Sequence, residues 1–381
     1  MKILRLSQEI YPDVTGGGAY HAHALSRDQA DMGHDVTVVT FSSEIEDTVK
    51  STRDGYTLIK SPTVFSVFGN EISIDSINHV SNQKEYDVVH THAHFYFLSN
   101  LAAVYRHFRN TPLAITNHSL ISQSVSPLIA KFHLYTVGKF TFSSSDMVFC
   151  YTKEEEQRLR SLGLKNEIKI IANGIDTAKF NPDGDRSGLI KRDEDISLLF
   201  VGRLNEGKRP TDAVRALRNI RNRSNLNCTL YICGDGPLRD QLLQTVADYG
   251  LEDSVTYLGI RDYDEMPSIL RSADLLILPS RSEGVPRTVL ESLASETPVI
   301  ASDLDQISEL VEAGGTTVAT GDIDGYTNAI LSLANNDTLR DELGKKGREV
   351  IRDQGYTWES TVRATTAALQ SLAEPSINDR R

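Results

Sequence analysis

Residues 273–295 read "ADLLILPSRSEGVPRTVLESLAS". The run "DLLILPS" is short and continuously apolar at its centre, the composition of a strand buried on both faces. "RSEG" is its exit loop. Pro286 suits the first turn of a helix, where its missing N–H costs nothing, and Val289, Leu290 and Leu293 give that helix a face to pack on a sheet. A buried strand, a polar exit and a helix start together make one unit of a parallel sheet. β-rich runs of the same kind recur on both sides of it. They are "KILRLS", "DVTVVT", "YDVVHTH", "LAIT", "DMVFCYT" and "IKIIA" in the first half, and "ISLLFVG", "CTLYICG", "SVTYLG" and "TPVIAS" in the second. Helical stretches such as "GAYHAHALSRDQADMG" and "PLRDQLLQTVADYG" lie between them and stop on Gly.

Strands alternating with helices predict an α/β architecture of parallel sheets covered on both faces. The alternation runs once through 1–175 and again through 196–355, as two Rossmann-like doubly wound domains. The stretch 176–195, rich in Gly, Asp and charge, reads as a linker, 356–374 as a C-terminal helix and 375–381 as a frayed tail.

Composition narrows the class. The chain of 381 residues has room for two cores, and its 39% hydrophobic and 24% charged residues are those of a globular protein. No run of about 18 apolar residues predicts a membrane-spanning helix. Arg5 and Glu9 interrupt the first apolar run, against an export signal. Three scattered cysteines, Cys150, Cys228 and Cys233, give no disulfide framework and fit a reducing, cytoplasmic compartment. A net charge of -12 argues against nucleic-acid binding. The charge is uneven, -2 over residues 1–180 and -10 beyond, while all ten histidines fall between His21 and His133.

Three places carry groups suited to a phosphorylated ligand. Arg203 and Lys208, in "VGRLNEGK", sit where "ISLLFVG" ends; a planar fork and a point charge suit a pyrophosphate. A Gly-rich turn with two solvated cations has the same spacing. "TGGGAY", residues 15–20, opens a helix, and its glycines let backbone amides approach an anion. It has neither the Rossmann dinucleotide spacing nor a Walker Lys, and a flexible turn reads equally well. In the opening stretch, the backbone of Val285–Thr288 lies at the predicted helix start, a second anion site aided by the dipole. Glu283 precedes it and Glu291 lies one turn in, both acceptor-only groups matched to paired hydroxyls. Two solvated glutamates fit that spacing as well.

Taken in order, "TGGG", "MGHDVTVVT", "YDVVHTHAH", "TNHS", "IIANGID", "VGRLNEGK", "ICGDGP", "YLGI", the opening stretch and "TPVIASD" resemble the retaining glycosyltransferases of family four over nearly the whole chain. The resemblance implies the GT-B fold, two Rossmann-like domains facing across a cleft, with 356–374 crossing back to the N-terminal domain. It implies transfer of a sugar from a UDP- or GDP-sugar to an acceptor hydroxyl with retained α-configuration and no metal or other cofactor. By it, Arg203 and Lys208 hold the pyrophosphate, Glu291 the ribose and Glu283 the transferred sugar. Val285, Pro286, Arg287 and Thr288 lie near sugar and β-phosphate, Ile260 near the base, Gly17 and Gly18 over the phosphates, and His118 matches the active-site histidine.

Two departures stand out. Ser119 follows His118 where the family often has Asp; "NHSL" is shared with the branch that transfers N-acetylglucosamine to phosphatidylinositol, which points to a lipid acceptor. Glu296 stands where a Gly is usual, for which a local change of turn is expected. Two rivals on the same fold are a UDP-N-acetylglucosamine 2-epimerase and a non-catalytic subunit that binds sugar nucleotide.

Two further features have double readings. His90, His92 and His94 alternate and, if extended, point to one side, either as hydrogen-bonding groups on the cleft floor or as zinc ligands; the family has no metal there. Over residues 126–142, Leu128, Phe132 and Tyr135 share a helical face with Lys131 and Lys139 nearby. They make either a patch on the cytoplasmic membrane face or an ordinary core stripe. Acceptor contacts, to a lipid or glycan, are expected from N-terminal loops such as 61–82.

Overall fold

The structure, a computed structural model, describes residues 1–374 except 15, 68–69, 82–84, 121–126 and 192–194. The expected tail 375–381 lies outside the described residues. Two compact units divide the chain: Met1–Ala172 with the stretch from Thr361 onward, and Asn173–Ser360.

The first unit is built on strands β1 (Lys2–Leu6), β2 (Asp35–Ser42), β3 (Val49–Arg53), β4 (Tyr56–Pro62), β5 (Phe65–Val67), β6 (Asn70–Ile72), β7 (Val88–His92), β8 (Leu113–Thr116), β9 (Met147–Cys150) and β10 (Glu167–Ile170). Eight of them form one sheet in the order β10-β9-β8-β7-β1-β2-β4-β3, parallel except for β3 against β4, while β5 and β6 make a separate antiparallel hairpin. Apart from Lys2 at the start of β1, strands β1, β7, β8 and β9 are buried throughout, as a parallel sheet with helices on both faces demands. The final helix, Trp358–Ala373, contributes Ala368 and Leu369 to the same core as Ile3, Ala22 and Val36, and Thr366 Oγ1 accepts from Gln29 Nε2 at 2.9 Å.

The second unit carries β11 (Ile196–Val201), β12 (Cys228–Cys233), β13 (Val255–Gly259), β14 (Leu275–Leu278), β15 (Val299–Ser302) and β16 (Gly315–Val318), all parallel, in the order β13-β12-β11-β14-β15-β16. The quoted stretch folds as read: Leu275–Leu278 is buried throughout, and helix Arg287–Ala294 buries Val289, Leu290 and Leu293. In each sheet the chain switches direction beside one strand, β1 with β2 and β7 as neighbours, β11 with β12 and β14. At such switch points the strand exits diverge and leave room for a ligand.

Several expectations are corrected. The stretch read as a linker packs on the second unit: Phe180 and Ile190 are buried, and Arg271 donates to the carbonyls of Asn181 and Asp185. Residues 61–82 are no plain loop; they hold the end of β4, the β5–β6 hairpin and helix Asp75–Ser81. His94 does not continue the line of His90 and His92. Ala93 takes a left-handed φ of 61°, which turns His94 off the strand onto Phe95, Phe142 and Gly138.

The helical stretch Pro127–Ser143 is no simple core stripe either. Ala130, Leu134, Gly138 and Phe142 face inward, while Leu128, Phe132 and Tyr135 are 82%, 72% and 54% exposed. Glu296, where a Gly is usual in the family, takes a left-handed φ of 59°, the region that favours glycine.

Candidate functional site

The exits of β11 and β14 are adjacent because the strands pair, and the backbone pins them: Arg281 N donates to Gly207 O at 2.7 Å. The β11 exit also lies on the exit of β12. A Cβ on Gly234 would stand 2.0 Å from Gly202 O, and one on Gly236 2.5 Å from Leu204 O, so both contacts require glycine. Lys208 runs its methylenes over Gly202, and its Nζ meets Glu283 Oε1 at 2.6 Å, with both side chains largely buried. Arg203, at the same exit, is exposed and its guanidinium has no partner among the described residues. The cation–carboxylate pair and the unpaired cation therefore stand at one sheet edge.

Glu291 is buried within helix Arg287–Ala294. Its Oε1 accepts from Tyr263 Oη at 3.1 Å and lies 3.6 Å from Arg287 Nε, while Oε2 has no hydrogen-bond partner among the described residues. Burial raises the Glu291 pKa, and Arg287 and Tyr263 oppose the shift. Arg287 is a buried cation at a helix start, where the dipole disfavours it. Glu291, Gly174 O, Tyr263 Oη and the Trp358 ring offset that cost. Pro286 precedes the helix with no side-chain cap, and Val285 O accepts from Asn173 Nδ2. Thr288 is the second helical residue, and Ile260, just past β13, is 61% exposed.

In the first unit the strand ends carry histidines. Arg5, wholly buried on β1, donates to Ser26 Oγ at 2.7 Å, Gln29 Oε1 at 2.5 Å and His90 Nδ1 at 3.3 Å. Guanidinium only donates, so His90 carries its proton on Nε2, directed to Thr116 Oγ1 at 2.7 Å. Burial, reinforced by Arg5 and the neighbouring histidines, holds His90 and His92 well below the usual imidazole pKa. His118, two residues past β8, joins His92 Nδ1 through its Nε2 at 2.9 Å and Tyr151 Oη through its Nδ1 at 2.6 Å. Gly17 begins helix Gly17–Asp31, and Gly18 lies against the His118 ring. No group of three or more His, Cys, Asp or Glu among the described residues is arranged to hold a metal ion.

Arg203, Lys208, Glu283, Arg287 and Glu291 thus share the ligand edge of the second sheet, and Gly18 and His118 meet in the first unit. Sequence reasoning passed over Tyr151, Glu155, Tyr263 and the structural weight of Arg5. Only Glu155 had a visible signal, the Thr152-x-x-Glu155 spacing of a capping box.

Comparison with known proteins gives matches in both halves. Residues 15–179 match the family model described as Glycosyltransferase Family 4, and residues 183–350 that described as Glycosyl transferases group 1. Glycogen synthase of Mycobacterium tuberculosis is 26% identical over 395 residues, spanning 96% of this chain and 93% of that protein. Sucrose-phosphate synthase from Thermosynechococcus elongatus has a TM-score of 0.80 at 22% identity, covering 98% of this chain and 99% of that one. HepE of Anabaena, solved with UDP and glucose, has a TM-score of 0.78 at 18% identity, covering 97% and 100%. The fold common to these structures is GT-B.

Proposed function

The chain belongs to the glycosyltransferases, with a Family 4 domain followed by a group 1 domain, and from that premise we propose that it moves a sugar from a UDP- or GDP-sugar to a lipid or glycan hydroxyl, retaining the α-configuration without a metal. The observation that carries this reading is the set of groups at the β11 and β14 exits. Among the described residues, one guanidinium there is unpaired, one ammonium is paired with a carboxylate at 2.6 Å, and one buried carboxylate keeps an oxygen open. As the glycosidic bond breaks, charge gathers on the departing diphosphate. Arg203 and Lys208 stabilise that charge most where it is greatest, in the transition state. Glu291 accepts from the ribose hydroxyls through its open oxygen, Glu283 from the sugar, and Ile260 flanks the base. His118 meets the sugar near the reacting carbon, and the Gly17–Gly18 backbone the phosphates. The acceptor proton leaves with the phosphate on the same face.

Screening UDP- and GDP-sugars for nucleotide release, with and without lipid extract, identifies the donor. Arg203→Ala should then cut turnover by about 100-fold or more, EDTA should leave the rate intact, and the product's anomeric NMR signals should match the donor's. Near-normal turnover in Arg203→Ala overturns the reading. Conversion of the sugar nucleotide with no acceptor present favours the epimerase, and nucleotide binding that never leads to turnover favours the non-catalytic subunit.

The acceptor side of the reading includes contact with an anionic membrane surface through 126–142. It is supported by the exposure of Leu128, Phe132 and Tyr135 and by charge: between Asp87 and Asp146 a chain with 52 acidic residues has none. No described helix is long and apolar enough to cross a membrane. Sedimentation with phosphatidylglycerol vesicles, lost in Leu128→Ser/Phe132→Ser, tests the contact; equal binding by that variant removes it.

A further inference from the structure

His118 is held at both ring nitrogens, and the order of protons along that chain follows from one orphan atom. Among the described residues, His92 Nε2 is buried with no partner. If His118 Nε2–H donated to His92 Nδ1, His92 would carry its proton on Nε2 as a buried N–H with no acceptor. A charged His118 would force the same outcome. An orphaned buried N–H is the costlier vacancy, because its desolvation is not repaid. The proton therefore sits on His92 Nδ1 and points to His118 Nε2. His118 in turn carries its proton on Nδ1 and donates it to Tyr151 Oη.

A second contact fixes the distance that this chain must span. Glu155 lies in the first turn of helix Lys153–Ser161, whose cap Thr152 accepts from Glu155 N at 3.2 Å. In a capping box the carboxylate reaches back to the cap's own N–H. Here Oε2 accepts from Tyr151 N at 2.8 Å, and Oε1 crosses to Asn117 Nδ2 at 2.5 Å. Glu155 thus ties the backbone of Tyr151 to the residue beside His118, with all three of its groups buried.

We propose that Tyr151 and Glu155 are positioning residues that hold His118 as the neutral imidazole protonated on Nδ1. The inference deepens the reading of His118 as a contact to the transferred sugar and rests on it for its catalytic consequence. The tautomer itself is measurable without any substrate.

The full chain, labelled with ¹⁵N-histidine, should give the Nδ1–H pattern for His118, assigned by its loss in His118→Gln. An Nε2–H or doubly protonated pattern overturns the proposal. Tyr151→Phe removes the acceptor at nearly constant shape. It should abolish the Nδ1–H preference and slow nucleotide release from UDP-glucose or GDP-mannose on the order of 100-fold, with donor KM within about threefold. Glu155→Ala should do the same. Glu155→Gln should restore the rate, because Gln keeps both bonds once the Asn117 amide turns its oxygen toward it. Equal losses in the Ala and Gln variants, or a changed KM with unchanged kcat, overturn the positioning role. Full activity in His118→Gln instead removes the sugar-contact reading and leaves the tautomer result standing.

Discussion

Lys208 Nζ and Glu283 Oε1 stand 2.6 Å apart at adjoining strand exits, each answering the other's charge. In the proposed reaction both are needed elsewhere, Lys208 by the diphosphate and Glu283 by the sugar. The pair therefore competes with the donor. Glu283→Gln should tighten UDP or GDP binding by about tenfold, the worth of about 1.4 kcal/mol of relieved competition, while turnover falls. Lys208→Met leaves Glu283 buried without a counter-ion and should cost about 3 kcal/mol of stability. Calorimetry and denaturant titration read the two effects separately. Weaker nucleotide binding in Glu283→Gln would mean that the pair survives in the bound state.

The close approach of the β11 and β12 exits gives a second expectation. At Gly234 both the neighbouring backbone and the φ of 130° exclude a side chain, so Gly234→Ala must push the exit carrying Arg203 away. It should lose about 3 kcal/mol or more and weaken nucleotide binding together. Gly250→Ala is the control. Its φ of 62° is strained, but nothing lies within 4 Å of the added carbon. That change should cost about 1 kcal/mol and leave binding alone.

What could be read from the chain was what burial writes into composition. The central strands of both sheets are short buried runs rich in aliphatic residues, so the α/β alternation and the ligand-edge residues at their exits were visible. Edge elements left a fainter trace. β3, exposed along most of its length, reads as polar chain, although Asp54-Gly55 with φ of 44° and 83° is a hairpin turn signal. β16, "GTTV", is too short and small to stand out. The turn of His94 away from its neighbours depends on one left-handed alanine, which alternation cannot express. The Glu155 link joins residues 34 to 38 positions apart through hydrogen bonds at strand ends, and no spacing rule reaches that far.

Burial raises the Glu155 carboxyl from 4.5 to about 7, with the Tyr151 and Asn117 bonds and Arg158 opposing the shift. A folded-state pKa above the unfolded one means that the contribution to stability is complete below pH 4.5 and is lost as pH rises through about 7. On the order of 3 kcal/mol is at stake. Glu155→Gln should lack this loss and exceed the native chain in stability at pH 8, by thermal or denaturant unfolding. Equal pH dependence in the two proteins would show that Glu155 does not titrate in that range.

Glu296 closes helix Arg287–Ala294 in a place shaped for glycine. Its N–H donates to Leu293 O at 3.1 Å, and Thr297 N donates to Ser292 O at 2.9 Å, the two bonds of a Schellman cap with the left-handed residue at Glu296. A side chain there costs about 1–2 kcal/mol of backbone strain. In return, among the described residues, Glu296 has one ion pair, a 3.9 Å contact with Arg348, partly exposed and worth about 0–1 kcal/mol. Glu296→Gly should therefore stabilise the chain by about 0.5–1 kcal/mol and leave turnover unchanged. Glu296→Ala keeps the strain and loses the pair, so its stability should not rise. If both variants were destabilised alike, the Arg348 contact would outweigh the backbone term, and the strain assigned to Glu296 would be too large.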